Sequence, residues 1–476
     1  MNTLRNFING RYCEPQTAHA SSVIDPATGV TYAEAPVSGA DDVDSACRAA
    51  SDAFPTWRRT SPAQRSLALF RIAEALEARA EEYIQAESRN TGKPHRWMRE
   101  EEFPAVLDHL RFMATIARDT SGLGAGSYMT GYESVVRREP VGVCGQVAPW
   151  NYPLLMAVWK LGPALAMGNT VVLKPSDTTP VTTAMLGELM AEFLPPGVFN
   201  VVLGDRDTGR ALVAHPRPDL ISVTGSVRAG MEIAAKAATD LKRVHLELGG
   251  KAPAVVLAGA DLEQTVGGIT GAGYLNAGQD CAASTRVLVD ESVYGEFVEA
   301  IVKKAESFTY GPPDTDVDYG PLNSADQLAR VQGFIDRAPG HAEIRAGGSA
   351  DRREGGYYFR PTVITGLDQA DEMVQEEIFG PVITIQPFRN EAEAVELAND
   401  VRFGLAASVW GNDHQAISRV TADLDFGQVW VNCHLVQAAE MPNGGFKHSG
   451  HGNDLSLLAV SDYTRAKHVM SRVNPR

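Results

Sequence analysis

Long hydrophobic runs are missing from this sequence. Every apolar stretch is broken by glycine, proline or charge well short of the roughly 18 residues a membrane-spanning helix needs, so no membrane partner is expected. No signal-type apolar core follows Met1–Arg5, and the expected location is cytoplasmic. Basic charge is also scarce: 43 Lys and Arg stand against 59 Asp and Glu, a formal net charge of −16, with no Lys/Arg-rich run. A field of that sign repels phosphate backbones and argues against a nucleic-acid partner. Cysteine is scarcer still. Cys13, Cys47, Cys144, Cys281 and Cys433 are odd in number, scattered, and without Cys-x-x-Cys spacing or clustered histidines. That argues against a disulfide framework and against a zinc site, and no metal is expected. A strict Gly-x-Gly-x-x-Gly fingerprint is absent as well.

What the sequence does contain is globular. Its 476 residues, 44% hydrophobic and 21% charged, suffice for two or three domains with their own cores. Residues 7–38 read as short extended pieces joined by turns, and helical spacing then sets in over 41–54. A longer helix follows Ser61-Pro62, with proline in its first turn and apolar positions reaching Ile84. A third spans about 104–118, where Asp108, His109 and Arg111 are most simply a solvated face. From Val141 onward, short Val/Leu/Ile runs alternate with helical segments: 143–148, 171–173, 199–203, 220–223 and 244–246. A second such series lies at 254–257, 286–289, 382–385 and 407–410. This alternation predicts an α/β class with parallel sheets and crossover helices, a type that binds nucleotides at the carboxyl ends of its strands.

The loops at those ends carry chemistry. Ala148-Pro149-Trp150-Asn151, Lys174-Pro175-Ser176-Asp177, Gly204 to Gly209, and Thr224-Gly225-Ser226 to Gly230 each follow a predicted strand. The last permits close backbone approach at a helix start, where N–H groups can hold a pyrophosphate. Two further residues stand out as reactive. Glu247 is a lone carboxylate ending the strand Leu246-Glu247-Leu248 before Gly249-Gly250, and is a candidate base. Cys281 follows the helix-breaking Gly278, and a thiolate at such an edge can be stabilised by backbone N–H groups. Taken alone, a cysteine is more often a small buried residue, and the company it keeps is what argues for reactivity here.

The order of these motifs resembles the NAD(P)-dependent aldehyde dehydrogenase superfamily over essentially the whole chain. The resemblance rests on Pro-Trp-Asn-Tyr-Pro (149–153), Lys-Pro-Ser (174–176), Thr-Gly-Ser (224–226), Leu-Glu-Leu-Gly-Gly-Lys (246–251), Gly-Gln-Asp-Cys (278–281) and Glu-Glu-Ile-Phe-Gly-Pro (376–381). It implies Cys281 as nucleophile, Glu247 as base for deacylation, and an oxyanion hole from the Asn151 amide and the Cys281 N–H. A Lys160–Asp454 contact would relay the proton. For the cofactor it implies Lys174 and Asp177 at the adenosine ribose, Ser226 at the pyrophosphate, Glu377 at the nicotinamide ribose and Phe379 beside the nicotinamide. Ala148, Pro149, Trp150, Ser176, Gly204, Gly209, Thr224, Gly225 and Leu248 would complete the cofactor site. NAD is the expected cofactor, with NADP as the alternative because Asp177 replaces the Glu found in many relatives. The implied architecture is a Rossmann-like cofactor domain (1–117 and 141–249), an α/β catalytic domain (250–458) and a small β oligomerisation element (118–140 and 459–476). A dimer or dimer of dimers is expected, the tail strand completing a neighbour's sheet.

Within the superfamily the chain most resembles gamma-aminobutyraldehyde dehydrogenases, through Tyr-Leu-Asn-Ala-Gly-Gln-Asp-Cys (274–281) and Glu-Met-Pro-Asn-Gly-Gly (440–445). Asp280 beside the nucleophile suits a cationic substrate group, with Trp159, Tyr152 and Trp430 as aromatic faces and Asp108 as a further acidic candidate. Asp280 can equally cap a backbone amide, and Asn443 stands where relatives often have an aromatic or His. The substrate alternatives are betaine aldehyde and general aliphatic aldehydes. Two other classes stay open. A thiol hydrolase would need His215 or His245 beside Cys281 and leaves the nucleotide-type loops unexplained. A non-catalytic homologue would be expected to have lost the thiol or the base.

Overall fold

The structure is a computed structural model that describes residues 2–119 and 124–473. Residues 120–123 and 474–476 of the expected oligomerisation element lie outside the described residues. Five parallel strands form the centre of an eight-stranded sheet: β1 (Val143–Val147), β2 (Thr170–Lys174), β3 (Phe199–Val201), β4 (Leu220–Gly225) and β5 (Arg243–Leu248). Their spatial order is β5-β4-β1-β2-β3. Gly450–His451 flanks β5, and Asn6–Ile8 with Arg11–Cys13 extends the other edge, antiparallel to their neighbours. The order reverses between β1 and β4, so the loops leaving these two strands splay apart and open a crevice.

A seven-stranded sheet follows in the chain. It contains β6 (Pro253–Val256), β7 (Arg286–Asp290), β8 (Thr362–Thr365), β9 (Val382–Phe388), β10 (Ala406–Trp410) and β11 (Gln428–Val431), ordered β8-β9-β7-β6-β10-β11. These six are parallel, and Glu343–Ala346 pairs antiparallel with β8. Except for the edge strand β11, the six strands are almost continuously buried, as expected where both sheet faces are covered. Val223, Leu246 and Leu248 of the first sheet share a core with Val255, Leu257, Leu288 and Val409 of the second, which ties the two together. No helix among the described residues is long and apolar enough to cross a membrane.

Helix ends follow local chemistry. α1 (Pro62–Ala78) starts at a capping box in which Ser61 Oγ accepts from Gln64 N–H at 3.3 Å and Gln64 Oε1 accepts from Ser61 N–H at 2.8 Å. It ends at Ala78, and a separate helix, Ala80–Thr91, carries Ile84, so the single long helix expected there is two. A π-turn, Met98–Glu102, then leads into α2 (Phe103–Ile116). α3 (Pro153–Ala166) is buried all round, consistent with its apolar sequence, and carries Lys160 into the interior. The tail strand Thr464–Arg472 pairs over nine residues with the chain's own Tyr132–Pro140, which also pairs with Ala125–Met129. That pairing takes one edge of the tail strand; as an outer strand of this sheet it has a second edge, and the outer strands are largely exposed.

Candidate active site

The crevice predicted by the strand order opens into a cavity of about 880 Å³. Cys281, Asn151 and Glu247 meet on its wall. Each arrives from a different element: Cys281 from the turn after α4 (Leu262–Tyr274), Asn151 from the loop after β1, and Glu247 from β5. Parallel pairing of Thr224 with Glu247 and of Gly225 with Leu248 sets the loop after β4 beside the carboxylate.

The approach to Cys281 is unusual backbone. Asn276, Ala277 and Gly278 have φ of 49°, 56° and 69°, three consecutive left-handed residues. At Gly278 a Cβ would sit 2.1 Å from the Gly380 carbonyl oxygen, so only glycine fits. Strain of this kind persists where surroundings hold it. Here Asn276 Nδ2 donates to the carbonyls of Asn151 (3.1 Å) and Gln279 (3.3 Å), and Asn151 Nδ2 donates to Gln279 O (3.1 Å). An amide has two N–H donors, which leaves Asn151 one for the cavity. Burial pushes the Cys281 thiol well above its ordinary value, and Asp280, Glu377 and Glu247 add to this while its own backbone N–H opposes. Asp280 Oδ1 accepts from Ala282 N–H at 2.7 Å and caps the turn.

Glu247 is buried, with Oε2 accepting from Asn443 Nδ2 at 3.3 Å and Oε1 unpartnered. Burial first and Asp454 second raise its carboxyl well above the ordinary range, against His245 and Lys160. Lys160 and Asp454, both fully buried, lie 3.4 Å apart as expected. Nothing in the local sequence signals Asn443's role, because its partner is 196 residues away. His245, named from the sequence only as a possible partner of the thiol, belongs instead beside Glu247, and the sequence carries the signal for that. Residues i and i+2 of a strand share a face, so His245 and Glu247 point the same way.

On one side the cavity is lined by Pro149, Trp150, Thr224–Arg228, Leu248, Glu377 and Phe379. This arm fits a dinucleotide on its own geometry. A Cβ at Gly225 would meet only Val223 Cγ2, at 4.0 Å, so the loop is open to an approaching group, and Thr224 Oγ1 is buried without a partner. Ser226 caps the helix Val227–Ala238 by accepting from Ala229 N–H at 3.3 Å. Glu377 accepts from Gly250 N–H at 2.9 Å, passing where a Cβ at Gly249 would lie 2.5 Å away. Phe379, with φ of 62°, packs edge-on against Trp150 at 5.2 Å. The other expected cofactor residues gather beyond the cavity. Lys174 Nζ donates to the carbonyls of Pro175 (2.8 Å) and Gly204 (2.7 Å) and passes close to Gly209. Ser176 Oγ donates to Asp177 at 3.3 Å, and Ala148 N–H donates to Lys174 O at 3.1 Å.

The opposite arm is lined by Trp97, Glu101, Glu102, Tyr152, Trp159 and Asp280. Trp159 Nε1 donates to His109 Nδ1 at 2.7 Å, which fixes its ring. Two expectations need correction. Asp108 lies on the exposed face of α2 and does not line the cavity; the acidic residues there are Glu101 and Glu102, delivered by the π-turn. Trp430 does not line it either, its indole N–H being tied to Val436 O at 2.7 Å. The two histidines a thiol hydrolase would draw on stand elsewhere: His215 pairs with Asp44 and His245 with Asp454 and Asp462, and neither lines the cavity.

Residues 12–469 match the aldehyde dehydrogenase family. The chain belongs to that family. It is an oxidoreductase acting on the aldehyde group. The 2-aminomuconic semialdehyde dehydrogenase of Danio rerio is 40% identical over 98% of this chain and 97% of its own. The betaine aldehyde dehydrogenase of Bacillus subtilis is 37% identical over the same shares, 98% and 97%. Among solved structures, betaine aldehyde dehydrogenase from Staphylococcus aureus in complex with NAD+ superposes with a TM-score of 0.97 at 34% identity, covering 99% of this chain and 96% of that one.

Proposed function

We propose that this enzyme oxidises an aminoaldehyde, 4-aminobutyraldehyde or a relative such as betaine aldehyde, to the carboxylic acid with NAD as acceptor. The carrying observation is the charge of the substrate arm. Asp280 and Glu101 line it as acidic groups, Glu102 being paired with the buried Lys93, and among the described lining residues it has no Arg, Lys or His; the arginines of the cavity, Arg228, Arg330 and Arg402, belong to the cofactor side. Lys93, buried behind this arm, is chelated by Glu102 at 2.6 and 2.7 Å and lies 4.4 Å from the Tyr152 ring centroid. The two charges are thereby spent on each other. An ammonium or trimethylammonio group finds carboxylates and the rings of Trp97, Tyr152 and Trp159 here. A substrate bearing a carboxylate, such as a semialdehyde of a dicarboxylic acid, finds no cationic partner.

The chemistry follows from the residues. An aldehyde releases no hydride until a nucleophile adds to its carbonyl, and Cys281 supplies that addition once its thiol is ionised. The free Asn151 N–H and the Cys281 N–H then meet the developing alkoxide, each worth about 3–4 kcal/mol by comparison with other oxyanion holes. NAD, when bound, supplies the hydride acceptor. Glu247 takes the proton of the water that hydrolyses the resulting Cys281 thioester, and Lys160 and Asp454 carry it onward. Absorbance at 340 nm over a panel of cationic, neutral and anionic aldehydes tests the reading: kcat/KM should be highest for the cationic ones.

The domain boundaries expected from sequence are retained in this reading, residues 250–458 forming the catalytic domain. The sheet of 125–140 and 464–472 is assigned to assembly, since three strands with exposed Tyr128, Met129, Val135 and Met470 make a poor free-standing unit. The open edge of β11, with Val431 exposed, offers it a partner strand.

A further inference from the structure

His245 is used by no step above, yet it sits in a cluster of buried charged groups. From its own strand Glu247 faces the same side; from α3 comes Lys160; from the 452–463 segment come Asp454, Asp462 and the Tyr463 ring at 6.0 Å. His245 Nδ1 is 2.8 Å from Asp462 Oδ2, and Nε2 is 3.2 Å from Asp454 Oδ1. The Asp454 contact is close but not aligned as a hydrogen bond. His245 Nε2, Glu247 Oε1 and Asp454 Oδ1 are all buried without a hydrogen-bond partner. Ligating atoms of these three residues lie within 4.8 Å of one another. Three orphaned polar atoms at one point are costly unless protons are shared among them.

The backbone is shaped around this arrangement. Gly452, at φ of 99°, passes so close that a Cβ would lie 2.7 Å from His245 Nδ1 and 2.9 Å from Asp462 Oδ2. Asn453 N–H donates to the same Asp462 oxygen at 3.1 Å. Asn443 and Asp454 exchange backbone hydrogen bonds at 2.8 and 2.9 Å, which locks Glu247's amide partner to the carboxylate facing His245. Asp462, unlike the rest, is partly exposed, its side chain at 30%.

We propose that His245, held between Asp454 and Asp462, is a positioning residue that sets the basicity of Glu247, and that Asp462 connects this control to the surface. The inference rests on Glu247 being the base of the proposed reaction. An imidazolium bridging two carboxylates adds a positive charge beside the base and favours its ionised form. Burial disfavours the charge on His245, but Asp454 and Asp462 outweigh it and bring the imidazole up to about 9, so the charge is present at neutral pH. Asp454 is likewise opposed by burial, and Lys160 with His245 holds it down at about 2.

The test is the pH profile of steady-state turnover in His245→Gln, Asp462→Asn and Asp462→Glu, with the first turnover followed at 340 nm by stopped flow. Removing the imidazolium raises Glu247 further, so the acid limb of steady-state turnover should move up by about 1 pH unit in His245→Gln. At a fixed pH on that limb turnover falls about tenfold. Asp462→Asn should move the limb the same way by less, and Asp462→Glu, which keeps the charge, should restore it. The first turnover should stay within twofold in all three. A uniform drop at every pH with an unmoved limb would mean a merely structural His245 and overturn the inference. If His245→Gln fails to fold, the Asp462 pair decides alone. Absence of any 340 nm signal in the unmodified enzyme with NAD and aldehydes would instead overturn the proposed function.

Discussion

Asn443 and Glu247, 196 residues apart in sequence, are joined at 3.3 Å, the asparagine amide donating to the carboxylate Oε2. Because the donor favours the ionised carboxylate, this contact works against the burial that raises Glu247. A hydrogen bond to a charged group is worth about 1.5–3 kcal/mol, so Asn443→Ala should slow thioester hydrolysis about tenfold or more near neutral pH. The loss should shrink as pH rises and Glu247 ionises unaided. A pH series of steady-state kcat checks this, and a loss equal at all pH values would contradict it.

For Cys281→Ala the expected outcome is complete loss of dehydrogenase turnover with NAD binding and thermal stability retained. The thiol acts only in the covalent step, and its replacement removes no hydrogen bond described for the fold. Turnover above a few per cent of the parent enzyme, measured at 340 nm, would remove Cys281 from its role.

Glu247→Gln should fail differently. A single turnover per site should still appear at 340 nm, followed by slow release, because the base is needed only for hydrolysis. In the parent enzyme, since burial and Asp454 raise Glu247, the hydrolytic rate should climb as pH rises through that raised value. An amide in place of the carboxyl cannot titrate, so this climb should vanish in the variant. Loss of the first turnover would put Glu247 earlier in the reaction.

Cofactor preference should follow Asp177, which lies next to the convergence of Lys174 and Gly204 and carries the Ser176 hydroxyl. A carboxylate accepts from ribose hydroxyls and repels a 2′-phosphate, so kcat/KM should be higher with NAD than with NADP. Equal efficiencies would mean that the short Asp177 side chain leaves room for the phosphate.

Local pattern makes much of this legible. The apolar run predicted at 143–148 is the strand Val143–Val147, and the loop predicted after 223 does open at Gly225 beside Glu247, because strand alternation and loop chemistry are short-range signals. The break at Arg79 has no glycine or proline to announce it. Asp108 lies exposed, as the reading of its helix's charges as a solvated face has it, and fails only as a substrate residue; the acidic residues that reach the cavity, Glu101 and Glu102, come from the π-turn at Met98–Glu102 ahead of α2. Asn443 lies beyond the reach of local reading because its partner arrives through tertiary packing. A still longer separation lies between Asp454 and Lys160, which meet across 294 residues, and only the family resemblance pairs them in advance.

The substrate reading turns on Asp280, and neutralising it separates three roles. Asparagine keeps an oxygen to accept from Ala282 N–H, so the turn before Cys281 should survive Asp280→Asn. The lost charge should then show only in recognition and in the thiol. If Asp280 meets a substrate cation in the partly desolvated arm beside Trp97 and Tyr152, its loss should cost about 1–3 kcal/mol, roughly tenfold or more in kcat/KM, for 4-aminobutyraldehyde or betaine aldehyde. A neutral aldehyde of similar length should be little affected. Asp280 also raises the Cys281 thiol, so its removal lowers the pH at which the thiolate forms and should improve every substrate on the acid side. A pKa change moves cationic and neutral substrates together, whereas a binding contact moves only the cationic ones, so both series measured across pH resolve the two effects. A parallel response at every pH would leave the aminoaldehyde proposal without its main support, since Glu102 is already held by Lys93 and Glu101 would be the one remaining acidic group named for the arm.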